Sequence, residues 1–213
     1  MKYILFDLDG TLTDPAEGIT NSVAYALEHY GIEVGDKREL ECFIGPPLVD
    51  SFMKYYGFER EKAYEAVEVY REYFRDRGIF ENELYDGILD LLRDLKAAGK
   101  TVIMATSKPE GFAVRIAEHF GFREYFDLIA GSTMDSSRVK KHDVIEWALK
   151  EAGITDRSEC IMVGDRHHDV DGAKQSKIKS VGVLWGYGSD AELKEAGADV
   201  IAFTVDELRE ILI

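Results

Sequence analysis

The chain is poor in cysteine, in basic charge and in long apolar runs, and each shortage closes off a class of protein. Cysteine occurs twice in 213 residues, at Cys42 and Cys160. Two thiols so far apart build no disulfide framework, and Cys160 opens an apolar run as a small buried hydrophobe does, so a reducing, cytoplasmic compartment is expected. Lys and Arg number 26 against 41 Asp and Glu, a formal net charge of -15. A surface that acidic repels nucleic-acid backbones and anionic membranes. It still admits a small anionic ligand, because a local patch of lysine, arginine and bound metal overrides the global sign. No apolar run reaches the roughly 18 residues of a membrane span. Tyr3-Ile4-Leu5-Phe6 meets an acid at Asp7, too soon for a signal peptide. Internal repeats and low-complexity tracts are missing too. With 46% hydrophobic residues, a folded globular protein is what remains, large enough for one core and a small second unit.

What is present alternates. Short apolar runs occur at 3–6, 101–105, 126–130, 160–163 and 180–184, with a weaker one at 200–202. Most are apolar throughout, as parallel strands covered on both faces are. Between them run helical faces: Ile88, Leu91, Leu92 and Leu95; Phe112, Ala113, Ile116, Ala117 and Phe120; Val144, Ile145, Ala148, Leu149 and Ala152. Strands alternating with such helices predict βαβ units, hence an α/β fold with a parallel sheet and helices on both faces.

Residues 16–84 break this rhythm. Helical faces recur there (Ile19, Val23, Leu27 and Tyr30; Ala63, Val67, Tyr70 and Phe74) without a convincing strand. A small helical unit is therefore expected as an insert, with 1–15 and 85–213 forming the α/β body. Its aromatics, from Tyr55 to Phe74, read as packing within the insert or against the body. Ile44-Gly45-Pro46-Pro47-Leu48 reads as a rigid turn into a helix.

Chemistry collects where the strands end. Asp7 and Asp9 follow the first strand, and open α/β sheets bind ligands at that edge. Two carboxylates so close do not ionise together without a cation between them or a proton on one, and Mg²⁺ favours such oxygen ligands. Gly10 permits a tight turn, and Thr11 offers a hydroxyl and an amide to an anion. Thr106 and Ser107 close the second strand with hydroxyls and amides suited to a phosphoryl oxygen. Ser136-Ser137-Arg138-Val139-Lys140-Lys141-His142 is a basic patch in an acidic chain, opening a helix. Gly164-Asp165-x-x-x-Asp169 brings two further carboxylates to the same sheet edge. His167 and His168 lack zinc-site spacing.

Phe6-Asp7-Leu8-Asp9-Gly10-Thr11-Leu12-Thr13-Asp14 resembles the first motif of the haloacid dehalogenase-like hydrolase superfamily, and the other three motifs follow in order, each after an expected strand. The resemblance spans essentially the whole chain. It implies a Rossmann-like core with an inserted small α-helical cap domain. It also implies Mg²⁺-dependent hydrolysis of a small phosphorylated metabolite. Asp7 would be the nucleophile, and Asp9 the general acid and base that also gives the metal a backbone carbonyl. Thr106 would contact phosphate. Lys141, with Lys140 in reserve, would neutralise a phosphoryl oxygen. Asp165 would bind the metal, and Asp169 would support that site through water or by holding Lys141. Gly45 and Pro46 resemble the cap's substrate-facing loop, and Arg138 would add charge beside the pocket. Arg138-x-x-Lys141 is similar to the 5′-nucleotidase-like subgroup, which implies a nucleoside 5′-monophosphate. Phosphoglycolate hydrolysis and sugar phosphomutase activity are the alternatives, in a monomer or homodimer.

Overall fold

The structure is a computed structural model that describes residues 1–135 and 137–213. Two compact units divide the chain: Met1–Asp14 with Leu84–Ile213, and Pro15–Glu83.

Tyr3–Phe6 forms β1, whose last three residues are fully buried, and Thr13–Asp14 forms the short β2. The chain then enters the helical unit. There α1 (Ala16–His29), α2 (Leu48–Tyr56) and α3 (Arg60–Tyr73) are joined by a 3₁₀ turn at Lys37–Phe43, and a π turn follows at Phe74–Gly78. Aromatic residues fill this unit's interior. Phe43 and Phe52 meet edge to face at 5.0 Å, Phe52 stacks on Phe58 at 5.8 Å, and Tyr70 stacks on Phe74 at 5.3 Å. Each such pair adds about 0.5–1.5 kcal/mol to what burial alone contributes. Tyr55 and Tyr64, from the same stretch, are exposed.

After β3 (Glu83–Leu84), helices and strands alternate: α4 (Ile88–Ala97), β4 (Thr101–Pro109), α5 (Glu110–His119), β5 (Leu128–Ser132), α6 (Lys141–Glu151), β6 (Cys160–Gly164), α7 (His167–Gln175), β7 (Lys179–Val183), α8 (Asp190–Ala196), β8 (Val200–Ala202) and α9 (Val205–Leu212). β2 and β3 pair as a separate two-stranded sheet. The main sheet has six parallel strands in the order β5-β4-β1-β6-β7-β8. β1 thus lies at the centre, flanked by β4 and β6. On one face Leu5, Ile103 and Met162 pack against Val144, Ile145 and Ala148 of α6. This is the Rossmann-like α/β arrangement that the run-and-helix alternation predicts.

The short β2 and β3 fall on no apolar run and were not expected, and two further strands differ from expectation. β4 continues beyond Ala105 to Pro109, with a register shift against β5. β5 begins at Leu128 rather than Phe126, because Asp127 instead tethers the neighbouring strand: its backbone N–H donates to the Val102 carbonyl at 2.8 Å and its carboxylate accepts from the Val102 N–H at 2.8 Å. Cys160 is buried, Cys42 is partly so, and both are free thiols. Among the described residues no helix is long and apolar enough to cross a membrane.

Candidate active site

The parallel strands deliver their carboxyl ends to one edge, and each end carries functional side chains. Asp7 leaves β1 with its backbone N–H donating to the Val163 carbonyl of β6 at 2.9 Å, which locks the two strand ends together. Its Oδ1 accepts from the Leu8 N–H at 2.8 Å. The turn that follows needs Gly10, whose φ is +78°. A β-carbon there would also lie 2.3 Å from Asp165 Oδ2, so only glycine lets the two loops approach. Thr11 reinforces the approach with a hydroxyl that donates to Asp165 Oδ1 at 3.4 Å.

From the end of β6 come Asp165 and, at the first turn of α7, Asp169. Ligand oxygens of Asp7, Asp165 and Asp169 lie within 4.8 Å of one another, and all three residues are buried. Lys141, the first residue of α6, reaches into this group. Its Nζ lies 2.8 Å from Asp7 Oδ1 and 2.8 Å from Asp169 Oδ1, and donates to the Ala105 carbonyl at 3.0 Å. Lys140, its neighbour, is exposed.

The electrostatics of this group are unbalanced. Burial, then Asp169 and Asp7, push Asp165 up to about 8. Burial likewise raises Asp169 to about 6, although Lys141 opposes it. Burial pulls the Lys141 ammonium down, but Asp169 and Asp7 override it and hold it well above the usual lysine range. Three ionised carboxylates against one ammonium would leave an excess of negative charge out of water, so without metal Asp165 keeps a proton near pH 7, and a divalent cation would take that proton's place. The donor set is all oxygen, the preference of Mg²⁺. The residues therefore fit the metal that the resemblance implies.

Asp9 stands apart from the three acids. Its carboxylate pairs with Lys108, whose Nζ lies 2.6 Å from Oδ2 and 2.9 Å from Oδ1. Burial raises Asp9 above the usual carboxylate range, with Lys108 acting in the opposite direction. Sequence reasoning missed Lys108, although a signal was there. On a strand, residues i and i+2 share a face. Thr106 and Lys108 are both buried on β4, while Ser107 between them is only half-buried. Thr106 Oγ1 accepts from the Lys108 N–H at 3.2 Å.

The loop after β7 is a second addition. Trp185 Nε1 donates to the Thr11 carbonyl at 3.0 Å, the Tyr187 N–H donates to Asp165 Oδ2 at 2.8 Å, and the Tyr187 hydroxyl meets Asp14. A β-carbon at Gly186 would come 2.2 Å from the Gly10 carbonyl oxygen. The loop is thus packed directly on both acid-bearing turns.

The remaining expected residues have the following surroundings. The Arg138 guanidinium donates to the Gly131 carbonyl at 2.9 Å, pairs with Glu110 at 3.2 Å and sits 4.0 Å over the Trp147 ring. None of these partners belongs to the acid group. Ser136, in the same basic patch, lies outside the described residues. Gly45 (φ +100°) and Pro46 are half-buried in the helical unit. His167 bonds to Glu192 through its backbone N–H at 2.9 Å and its Nδ1 at 2.8 Å. Burial lowers His168 to about 4, so it is neutral near pH 7. Neither imidazole joins the acids.

Known proteins share this design. Residues 4–183 match the family model described as haloacid dehalogenase-like hydrolase. The chain is 46% identical over 209 residues to a 5′-nucleotidase of Pseudomonas aeruginosa, covering 98% of this chain and 94% of that one. It is 43% identical over 214 residues to the tyrosine-protein kinase PtkA of Mycobacterium tuberculosis, covering 99% and 72%. The crystal structure of a predicted phosphatase from Clostridium acetobutylicum superposes with a TM-score of 0.97 at 49% identity, covering 99% and 97%. With its buried acids at the central strand ends of such a fold, the chain belongs to the haloacid dehalogenase-like hydrolases and is an enzyme of phosphatase type.

Proposed function

We propose that this enzyme hydrolyses a small phosphomonoester through an aspartyl-phosphate on Asp7, with a nucleoside 5′-monophosphate as the substrate class. One observation carries the chemistry: Lys141 bridges Asp7 and Asp169 while Asp165 stands within ligand distance of both. A phosphate dianion is repelled by bare carboxylates. Asp7, Asp165 and the Asp9 backbone carbonyl would hold Mg²⁺, with Asp169 in support, and the ion would supply the positive charge that lets the dianion approach. Asp7 attacks phosphorus in line, so that an Asp7 O–P bond forms as the ester P–O bond breaks. Asp9 gives its proton to the departing oxygen, then takes one from the water that hydrolyses the acyl phosphate. Thr106, Lys141 and the backbone amides after Asp7 hold the equatorial oxygens, where charge gathers in the transition state. Ser107, Gly10 and Thr11 line the same edge, and Gly45, Pro46 and Arg138 bear on the choice of leaving group.

The nucleotide preference is supported by the likeness to the P. aeruginosa 5′-nucleotidase and by the Arg138-x-x-Lys141 spacing. Phosphate release from a panel of nucleotides, sugar phosphates, phosphoglycolate and pyrophosphate, with Mg²⁺, tests it. Nucleoside 5′-monophosphates should give the highest kcat/KM, and EDTA or Asp7→Asn should abolish turnover. A higher value for phosphoglycolate overturns the substrate reading. Appearance of glucose 6-phosphate from β-glucose 1-phosphate, or of phosphotyrosine from ATP, without free phosphate overturns transfer to water.

A further inference from the structure

Lys108 has no part in the chemistry outlined above, yet its pair with Asp9 is among the most buried ion pairs of the described residues. The two side chains are 5% and 13% exposed. A lysine stem costs rotamer entropy to order and its charge is costly to desolvate, so such a pair persists only where the fold closely determines it. Here the backbone does so. Pro109 confines Lys108 to extended geometry. Thr106 Oγ1 accepts from the Lys108 N–H at 3.2 Å, so strand β4 aims the side chain to the same side as Thr106. β4 pairs directly with β1, the strand that leads to Asp9. The ammonium lies 2.6 and 2.9 Å from the two oxygens of Asp9 and thereby fixes the plane of that carboxyl group.

We infer that Lys108 is a positioning residue for the general acid, holding the Asp9 carboxyl in the orientation from which it protonates the leaving oxygen. The inference rests on the reading of Asp9 as that acid. An ammonium suits the task in both protonation states. It contacts both oxygens of the carboxylate. When one oxygen carries the proton, the other still accepts from Nζ, and the O–H is left facing outward. On ester cleavage that proton passes to the alkoxide oxygen as the P–O bond breaks, and the carboxylate returns to the two-oxygen contact. Lys141 has a different duty, since its Nζ meets Asp7 and Asp169. The two buried lysines therefore divide the site, one serving the nucleophile and metal acids and the other serving the proton donor.

The test exploits leaving-group chemistry. An alkyl alcohol needs protonation to depart, whereas p-nitrophenolate departs without it. Lys108→Met and Lys108→Gln are compared with wild type and Asp9→Asn, using kcat/KM with Mg²⁺ for an alkyl ester such as a nucleoside 5′-monophosphate and for p-nitrophenyl phosphate. General acid–base catalysis contributes on the order of 10²–10⁴-fold. A misdirected acid should accordingly lose about 10- to 100-fold on the alkyl ester and only about threefold on the aryl ester. The ratio of the two values on one preparation is independent of the fraction folded. Lys108→Arg should restore part of that ratio. Equal losses on both esters in the Lys108 variants, beside unequal losses in Asp9→Asn, overturn the inference and leave the acid in place. Equal losses in Asp9→Asn remove Asp9 as the acid, and the assignment of Lys108 falls with it.

Discussion

Replacing Lys141 by methionine keeps most of the unbranched apolar stem and removes the charge, so it chiefly reports the electrostatic role of the ammonium. In the native protein Nζ lies between Asp7 and Asp169, with these three side chains 4%, 10% and 3% exposed. Methionine leaves two carboxylates buried without their cation. Breaking a buried pair in this way costs about 3–5 kcal/mol. For a chain of this size each kcal/mol moves Tm by about 2–4 °C, so metal-free Lys141→Met should melt roughly 6–20 °C below wild type near pH 7.5. The loss has a defined pH dependence. Asp169 already titrates near 6 because burial outweighs Lys141, and without the ammonium its pKa rises further. Below that pKa the variant holds Asp169 neutral and recovers most of the deficit, at up to about 1.4 kcal/mol per pH unit for one proton. Adding Asp169→Asn to Lys141→Met should likewise return part of the lost stability. Thermal melts in EDTA near pH 5 and pH 7.5 measure both effects. A Tm within about 2 °C of wild type at the higher pH would refute the reasoning. So would a deficit larger at pH 5 than at pH 7.5, or a double variant no more stable than Lys141→Met.

The raised Asp165 has its own consequence for the metal-free enzyme. Its folded pKa, about 8, exceeds the ordinary carboxylate value, so the folded state binds more protons between those limits. Stability should therefore be greatest below about pH 4 as far as this group is concerned, and decline toward pH 8. Mg²⁺ should reverse the decline, raising Tm more at pH 8 than at pH 5; a uniform shift in calorimetry would contradict this. Gly186→Ala forces a β-carbon to within 2.2 Å of the Gly10 carbonyl oxygen and 2.5 Å of Asp165 Cβ. It should cost roughly 1–3 kcal/mol in urea titration and weaken Mg²⁺ binding by calorimetry. Lys140→Ala, at an exposed position, should stay within about 0.5 kcal/mol of wild-type stability in the same titration.

Much of the core was legible because continuous apolar runs can hardly be anything but covered strands. β1, β4, β6 and β7 all fall on such runs, and Asp7 and Asp165 lie one residue beyond β1 and β6, with Asp169 following in the first turn of α7. Lys141 was preferred over Lys140 by its phase against Val144 and Ile145, and of the two it is the residue that is buried. Other features were invisible for a stated reason. Lys108 resembles any lysine at the end of a strand until its partner, 99 positions away, is known. Trp185 holds the Thr11 carbonyl through its indole N–H and Tyr187 holds Asp165 through its backbone N–H, and the sequence does not specify which distant groups those donors meet. Arg138 is engaged by glutamate and tryptophan side chains, contacts that the composition of its basic patch does not specify. The extension of β4 to Pro109 was missed because Thr106–Lys108 is polar, and polarity masks a strand whose end lies in a site rather than in the core.

The chain leaves the α/β body after Asp14 and rejoins it at Leu84. Within that body the Tyr85 N–H donates to the Leu12 carbonyl at 3.1 Å, so departure and return are pinned side by side. A detour tied off at its neck barely changes the closure entropy of the polypeptide, whatever its contents. The helical excursion can accordingly be lengthened, trimmed or exchanged by recombination while the register of β1 against β4 and β6 is preserved.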